Sequence, residues 1–174
     1  GKSTLMKIFS GVHTPSSGEI YLDGRLLQYN SVEQALKNGI ATVYQELSVI
    51  KDLTVAENLM IGKLPMKSRF SIDWAEVRLR AKQTLDRLNV ELDLNAYVRD
   101  LTIGQQQIVE IAKAMSAEPS VLILDEPTSA LSDVECEKLF AVMQDLKKRG
   151  IIILFITHRL QEVFKTADTV TVLR

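Results

Sequence analysis

Two adjacent carboxylates, Asp125 and Glu126, follow the aliphatic run Val121-Leu122-Ile123-Leu124 without a break. Four apolar residues in succession fit a strand buried on both faces. Two charges are too costly to hide in such a strand, so they belong where it emerges. Pro127 then stops the ladder, because it has no N–H to donate. The outcome is a pair of acids at the carboxyl end of a strand, the place where open α/β sheets bind ligands. The same octapeptide also fits a core strand that ends in a polar turn.

Phosphate chemistry opens the chain. Gly1-Lys2-Ser3-Thr4 is the second half of the pattern G-x-x-x-x-G-K-[ST]. In that pattern Lys2 can reach a terminal phosphate and the Ser3 hydroxyl can ligate Mg²⁺. A helix starting at residue 3 points its amides and the positive end of its dipole at an anion. Read so, the first glycine of the loop and the strand feeding it lie upstream of Gly1, and the chain is expected to be a piece of a longer protein. Asp125 then suits a second metal contact of the kind P-loop nucleotide hydrolases use. Glu126, one residue on and facing the other way, is placed to activate a water.

Gln45 and His158 each follow a predicted strand directly. A neutral amide at 45 can hold water or metal without adding charge. An imidazole at 158 can donate to a γ-phosphate or steady a water. Alone, Gln45 also reads as a surface polar residue and His158 as a polar cap; four strand-end groups in this order favour a joint site. Leu101-Thr102-Ile103-Gly104-Gln105 sets a hydroxyl and a glycine before an amide-rich helix. Its backbone N–H groups can grip an anion, or Thr102 can serve as a plain N-cap. A second phosphate grip so far from the first suggests head-to-tail pairing of two such domains.

These residues need elements to hold them. Leu5, Ile8 and Phe9 make one face of a helix over 3–10, which Gly11 ends. Glu19-Ile20-Tyr21-Leu22, Asp23-Gly24 and Leu26-Leu27 read as a β-hairpin, a small antiparallel patch. Ser31 with Gln34 forms a capping-box pattern for a short helix closed by Gly39, and residues 40–44 form a strand that ends at Gln45. Residues 46–117 are mostly helical and inserted between strands: a short helix over 55–61, a loop over 63–70, an amphipathic helix capped by Asp73, an irregular stretch over 92–100 and a helix over 105–117. Along the Asp73-capped helix, Trp74, Val77, Ala81, Leu85 and Leu88 form the apolar stripe, with Trp74 expected as a core anchor. Ser132 with Glu135 caps the next helix, whose face is Leu139, Val142, Met143 and Leu146. Residues 151–156 read as a second strand buried on both faces, 160–165 as a helix and 169–173 as a final strand. Strand and helix in alternation give a mostly parallel α/β sheet.

The net charge of −1, from 21 basic and 22 acidic residues, gives no electrostatic case for nucleic acid or anionic membrane. A single cysteine, Cys136, excludes an intrachain disulfide and a cysteine-based metal cluster. It is expected to be a passive helix residue. No apolar run is long enough to span a bilayer, and there is no signal-peptide pattern, which favours the cytoplasm.

In motif order the chain resembles the nucleotide-binding subunit of ATP-binding cassette (ABC) transporters. Gly1 to Thr4 match the end of Walker A, Gln45 the Q-loop, Leu101 to Gln105 the signature and Val121 to Glu126 Walker B. Ser129-Ala130-Leu131 match the D-loop and His158 the switch histidine. The resemblance implies a P-loop NTPase-like α/β fold, one ABC ATPase domain over 1–174 cut at both ends, with 46–117 as its helical subdomain. It implies ATP and Mg²⁺ as cofactors. Gly1, Lys2, Ser3, Thr4, Gln45 and Asp125 would bind the nucleotide, with Ser3, Gln45 and Asp125 on the metal. Glu126 would be the general base and His158 would contact the γ-phosphate, while Thr102, Gly104 and Gln105 would bind ATP held by a second cassette.

The stretches Val43-Tyr44-Gln45-Glu46-Leu47-Ser48, Thr54-Val55-Ala56-Glu57-Asn58-Leu59 and Gly104-Gln105-Gln106-Gln107-Ile108-Val109-Glu110 resemble the first cassette of bacterial ribose- and galactose-type monosaccharide importers. That resemblance implies ATP hydrolysis driving sugar import at the cytoplasmic face of the membrane. Its partners would be integral membrane permease subunits, met by the segment after Gln45, and, indirectly, a periplasmic sugar-binding protein. Thr102 stands where the common signature has Ser, Ile103 where many members have Gly, and Ser132 where the D-loop often ends in Asp. The last is expected to weaken coupling across the dimer. Two other readings remain: an ABC ATPase acting on ribosomes or DNA, which the neutral charge disfavours, and a non-catalytic interaction module. With half a phosphate loop, the 174 residues by themselves are expected to bind ATP poorly.

Overall fold

The computed structural model describes residues 1–173. Helix α1 (Lys2–Phe9) ends as expected at Gly11, whose φ is 76°. A side chain there is barred by space as well as by backbone angle, since a Cβ would lie 2.4 Å from the Ser31 carbonyl oxygen. The hairpin β1 (Ile20–Leu22) and β2 (Arg25–Leu27) turns through Asp23 and Gly24, both at positive φ as a type I′ turn requires. Helix α2 (Val32–Lys37) follows, with the Ser31 hydroxyl accepting the Gln34 N–H. The reciprocal bond is shifted by one residue: Gln34 Oε1 accepts from Asn30 N–H rather than from Ser31.

Strand β3 (Ile40–Val43) leads into helix α3 (Val55–Met60). The stretch expected as loop instead carries a small hairpin, β4 (Met66–Ser68) and β5 (Ser71–Ile72). Its residues lack strand alternation and are nearly all exposed, so pairing here rests on backbone bonds that the side-chain pattern does not announce. Helix α4 (Trp74–Arg87) buries Val77, Ala81 and Leu85 as expected. Trp74 is 44% exposed and is not a core anchor. The stripe reaches the rim at its first turn, where Asp73 N–H donates to the Pro65 carbonyl beside the hairpin. A 3₁₀ turn at Val98–Asp100 precedes helix α5 (Ile103–Met115).

The rest alternates strand and helix: β6 (Val121–Asp125), α6 (Asp133–Lys148), β7 (Ile152–Ile156) and α7 (Leu160–Thr166). Strands β3, β6 and β7 form a parallel sheet in that order, with Val43 level with Leu124 and Asp125 level with Ile156. Central β6 has helices on both faces, which explains its unbroken apolar run. Leu122 and Leu124 face one core with α3, α4, α5 and α6; Val121 and Ile123 face a second with Met6, Phe9 and Ala35. Complete burial of each such side chain contributes about 1.5–3 kcal/mol.

Two strand expectations fail for a common reason. Strand β7 lies at the edge of the sheet, and Ile152 is 47% exposed rather than buried. Residues 169–173 form no strand. Alternating apolar residues supply a pattern, yet a strand also needs a neighbour for its backbone groups, and these residues have none among those described. Cys136 lies on a helix, as expected, and is buried in α6.

Candidate functional site

The carboxyl edge of the parallel sheet is where the predicted groups meet. Because Asp125 and Ile156 are level, the chains leaving β6 and β7 start side by side. Glu126 then leaves the strand line with φ 47°, a left-handed conformation that costs a non-glycine residue about 1–3 kcal/mol. Its N–H still donates to the Ile156 carbonyl at 3.1 Å. This turn sends the two acids different ways and sets Glu126 Oε1 3.4 Å from His158 Nδ1.

Asp125 stays in line and half-buried. Burial, and then the neighbouring Glu126 charge, raise its carboxyl above the ordinary aspartate value; Lys7 opposes the shift. Helix α1 packs against β6, with Met6 and Phe9 on the second core. Gly1, Lys2, Ser3 and Thr4 are all exposed, with no side-chain cap on the helix and no acid in its first turn. Such an end suits an anion. Gln45 is exposed two residues past Val43, on the same sheet edge.

A crowded, partly desolvated pair of acids fits a divalent cation. Among the described residues no three His, Cys, Asp or Glu side chains cluster as a metal cage. The remaining ligands would have to be neutral oxygens such as those of Ser3 and Gln45, or those of a phosphate. Among the described residues, Lys2, Ser3 and Gln45 make no ion pair or side-chain hydrogen bond with Asp125 or Glu126, so the direct contact in this group is that of Glu126 with His158.

The start of α5 is a separate place. Thr102 is its N-cap: its hydroxyl accepts Gln105 N–H at 3.2 Å, and Gln105 Oε1 accepts Thr102 N–H at 3.0 Å. Both predicted binding side chains are therefore also structural caps. Gly104 is buried, and its N–H donates to Glu135 Oε1 at 3.1 Å. A Cβ on Gly104 would come within 2.7 Å of Glu135 Cγ, so glycine is what admits this carboxylate. The Ser132 hydroxyl and N–H donate to Glu135 from the other side, and the carboxyl is held down to about 2, chiefly by that hydroxyl. The sequence marks Glu135 as half of a capping box; its second use, on Gly104, has no local signal.

Two other carboxylates escape the sequence reading. Buried Glu110 on α5 accepts from Ser48 N–H at 3.2 Å and from the Ser48 hydroxyl, tying the segment after Gln45 to that helix. Buried Glu162 on α7 collects donors from both sides of the strand-end edge.

Comparison with known proteins bears on the family and the fold. Residues 1–129 match the ABC transporter family. The chain is similar along its whole length to a ribose import ATP-binding protein of Rhodopirellula baltica, at 45% identity, and to one of Chromobacterium violaceum, at 48%. A xylose import ATP-binding protein of Geobacillus kaustophilus is 44% identical over the same span. The chain spans about a third of these relatives, 34%, 35% and 35% of their lengths respectively. Among solved structures, a nucleotide-free ATP-binding cassette of an ABC transporter superposes with a TM-score of 0.82 at 26% identity, covering 97% of this chain and 70% of the other. An ATP-binding cassette solved as a dimer after hydrolysis, with ADP and Pi bound, gives 0.69 at 30% identity, covering 92% and 71%. With its strand-end acids, its parallel sheet and this match over most of its length, the chain belongs to the ABC transporter family.

Proposed function

We propose that the chain is the ATP-binding and ATP-hydrolysing part of an importer that moves a monosaccharide across the cytoplasmic membrane. The observation that carries the hydrolytic reading is the Glu126–His158 contact at 3.4 Å beside half-buried Asp125. The sugar reading is supported by the names of the import relatives.

In this reading Lys2 and the amino end of α1 hold the phosphates, with Gly1, Ser3 and Thr4 lining the same loop. Glu126 takes the proton of the attacking water. His158 keeps that carboxylate turned toward the water and contacts the γ-phosphate. Mg²⁺, when bound to Asp125, Ser3 and Gln45, supplies the charge that offsets the phosphates. Thr102, Gly104 and Gln105 serve the ATP of a second cassette. Residues 46–117 act as the helical subdomain of a single ATPase domain, and the segment after Gln45 meets the permease. No helix among the described residues is long and apolar enough to cross a membrane. Attachment at the cytoplasmic face would therefore run through the permease subunits, with a periplasmic sugar-binding protein acting from the far side.

The test is Glu126→Gln in the full-length protein assembled with its permease. Turnover should fall roughly 10²–10⁴-fold, the range for a single general base, with ATP binding retained. Unchanged turnover would sink the assignment of the base. Sugar-stimulated hydrolysis in vesicles, absent when the permease is left out, tests the transport half.

A further inference from the structure

Glu162 is a buried acid that the mechanism above leaves unused. It sits in the first turn of α7 at 6% exposure. Three side chains donate to its carboxylate. Thr157 and Thr128 give their hydroxyl protons to Oε2, at 2.6 and 3.0 Å. The Arg159 guanidinium donates to Oε1 at 3.1 Å.

The donors are placed tellingly. Thr157 and Arg159 are the residues before and after His158. Thr128 is two residues past Glu126. Thr157 closes the bracket locally, because its hydroxyl oxygen also accepts Arg159 N–H at 3.0 Å. The same two segments are joined by backbone, through the Glu126 N–H and the Ile156 carbonyl. His158 itself is exposed and, among the described residues, has one partner, Glu126. What fixes its position is therefore the loop on either side of it, and that loop is tied down at Glu162.

We propose that Glu162 is the positioning residue that holds His158 against Glu126, through Thr157 and Arg159 on one strand end and Thr128 on the other. This rests on the proposed roles of Glu126 and His158. The two oxygens are not interchangeable with an amide. A Gln at 162 offers one acceptor oxygen and one NH₂, so either the threonine pair or Arg159 must face a donor. A buried donor without an acceptor is expensive, and the loop would shift to relieve it. A shift of about 1 Å at a catalytic group costs up to roughly 10²-fold in rate.

The experiment compares Glu162→Gln, His158→Ala and the double variant in the full-length protein, reading kcat, the KM for ATP and equilibrium ATP binding. The expected result is a fall in kcat of roughly 10- to 100-fold for Glu162→Gln, the scale for losing a supporting hydrogen bond behind a functional group. ATP binding should be retained, and no further loss should appear in the His158→Ala background. Thr157→Val should reproduce the kcat effect and Thr157→Ser should rescue it, which keeps the test sharp if the Glu162 variant folds poorly. Wild-type kcat in Glu162→Gln and in Thr157→Val, or losses that add to that of His158→Ala, would overturn the proposal. Wild-type turnover in His158→Ala would instead overturn the role of His158 on which it stands.

Discussion

A carboxylate ends β6 and another starts α6, and the fold treats them in opposite ways. Asp125 is half-buried, has Glu126 as its sequence neighbour, and is raised above its ordinary value by burial and by that charge. Glu135 receives the Ser132 hydroxyl, the Ser132 N–H and the Gly104 N–H, and is held down to about 2. The first has a charge that the chain itself leaves poorly compensated; the second is satisfied within the chain. The strand-end edge therefore carries its charge at a cost to stability. The start of α5 is built for stability, as a joint between two helices. Any binding role at the joint has to work with a Gly104 N–H that already has an acceptor.

The largest effect expected from this contrast is at Asp125. Asp125→Asn should lower turnover of the full-length protein roughly 10²–10³-fold, the scale for losing one electrostatic contact to the reacting groups. The same change should not destabilise the fold. A raised folded-state value means that the folded chain holds the proton more tightly than the unfolded chain. Ionisation therefore costs stability: nothing below the ordinary value of 3.8, and progressively more as pH rises through the raised one. Asn removes that cost, so at neutral pH its unfolding midpoint in urea should equal or exceed that of the parent. A clear drop in the midpoint would mean that Asp125 is held by the fold, and the contrast would break.

The two regions also differ in how far the sequence reveals them. Leu122, Ile123 and Leu124 are fully buried because a central strand imposes one pattern on consecutive residues, and that pattern can be read locally. The capping pair Ser132 and Glu135 is legible for the same reason, being three residues apart. Where a neighbour decides, reading fails. Residues 151–156 have the same apolar run as β6, and only the edge position leaves Ile152 exposed. Trp74 keeps the helical spacing but lies beyond the packed turn of α4. Glu162 meets Thr128 across 34 residues, and Glu135 meets Gly104 across 31. The strand-end groups are legible through their order in the sequence, whereas the side chains that brace them from a distance are not.

The second prediction probes the joint through its space. Gly104→Ala places a Cβ within 2.7 Å of Glu135 Cγ and Oε1. Glu135 is a side chain that can swing away, and alanine is favoured over glycine inside a helix by about 0.5–1 kcal/mol. Folding stability, measured by urea titration, should therefore change by no more than about 1 kcal/mol. Turnover should respond far more, by roughly 10²-fold, if the α5 start also grips nucleotide and has been displaced. Unchanged turnover would leave α5 with its joint role alone and remove Gly104 from the nucleotide site.

The smallest effect separates the two carboxylates by the sign of their pH dependence. A depressed folded-state value means that Glu135 adds stability above its unfolded value of about 4.5 and loses it as pH falls toward about 2. Glu135→Gln keeps the shape and removes the charge, so at neutral pH its urea midpoint should lie below that of the parent. As pH falls from about 4.5 toward about 2 the gap should close, because the folded parent then takes up the proton and becomes nearly isosteric with the variant. Ser132→Ala should show a related loss of about 1 kcal/mol, with a weaker pH dependence, because it removes the cap hydroxyl but leaves the Gly104 contact. Asp125→Asn runs the other way, its advantage growing as pH rises. A gap for Glu135→Gln that stays constant from neutral pH down to about 2 would show that the carboxylate charge is not what binds α6 to α5, and the opposition between the two regions would rest on geometry alone.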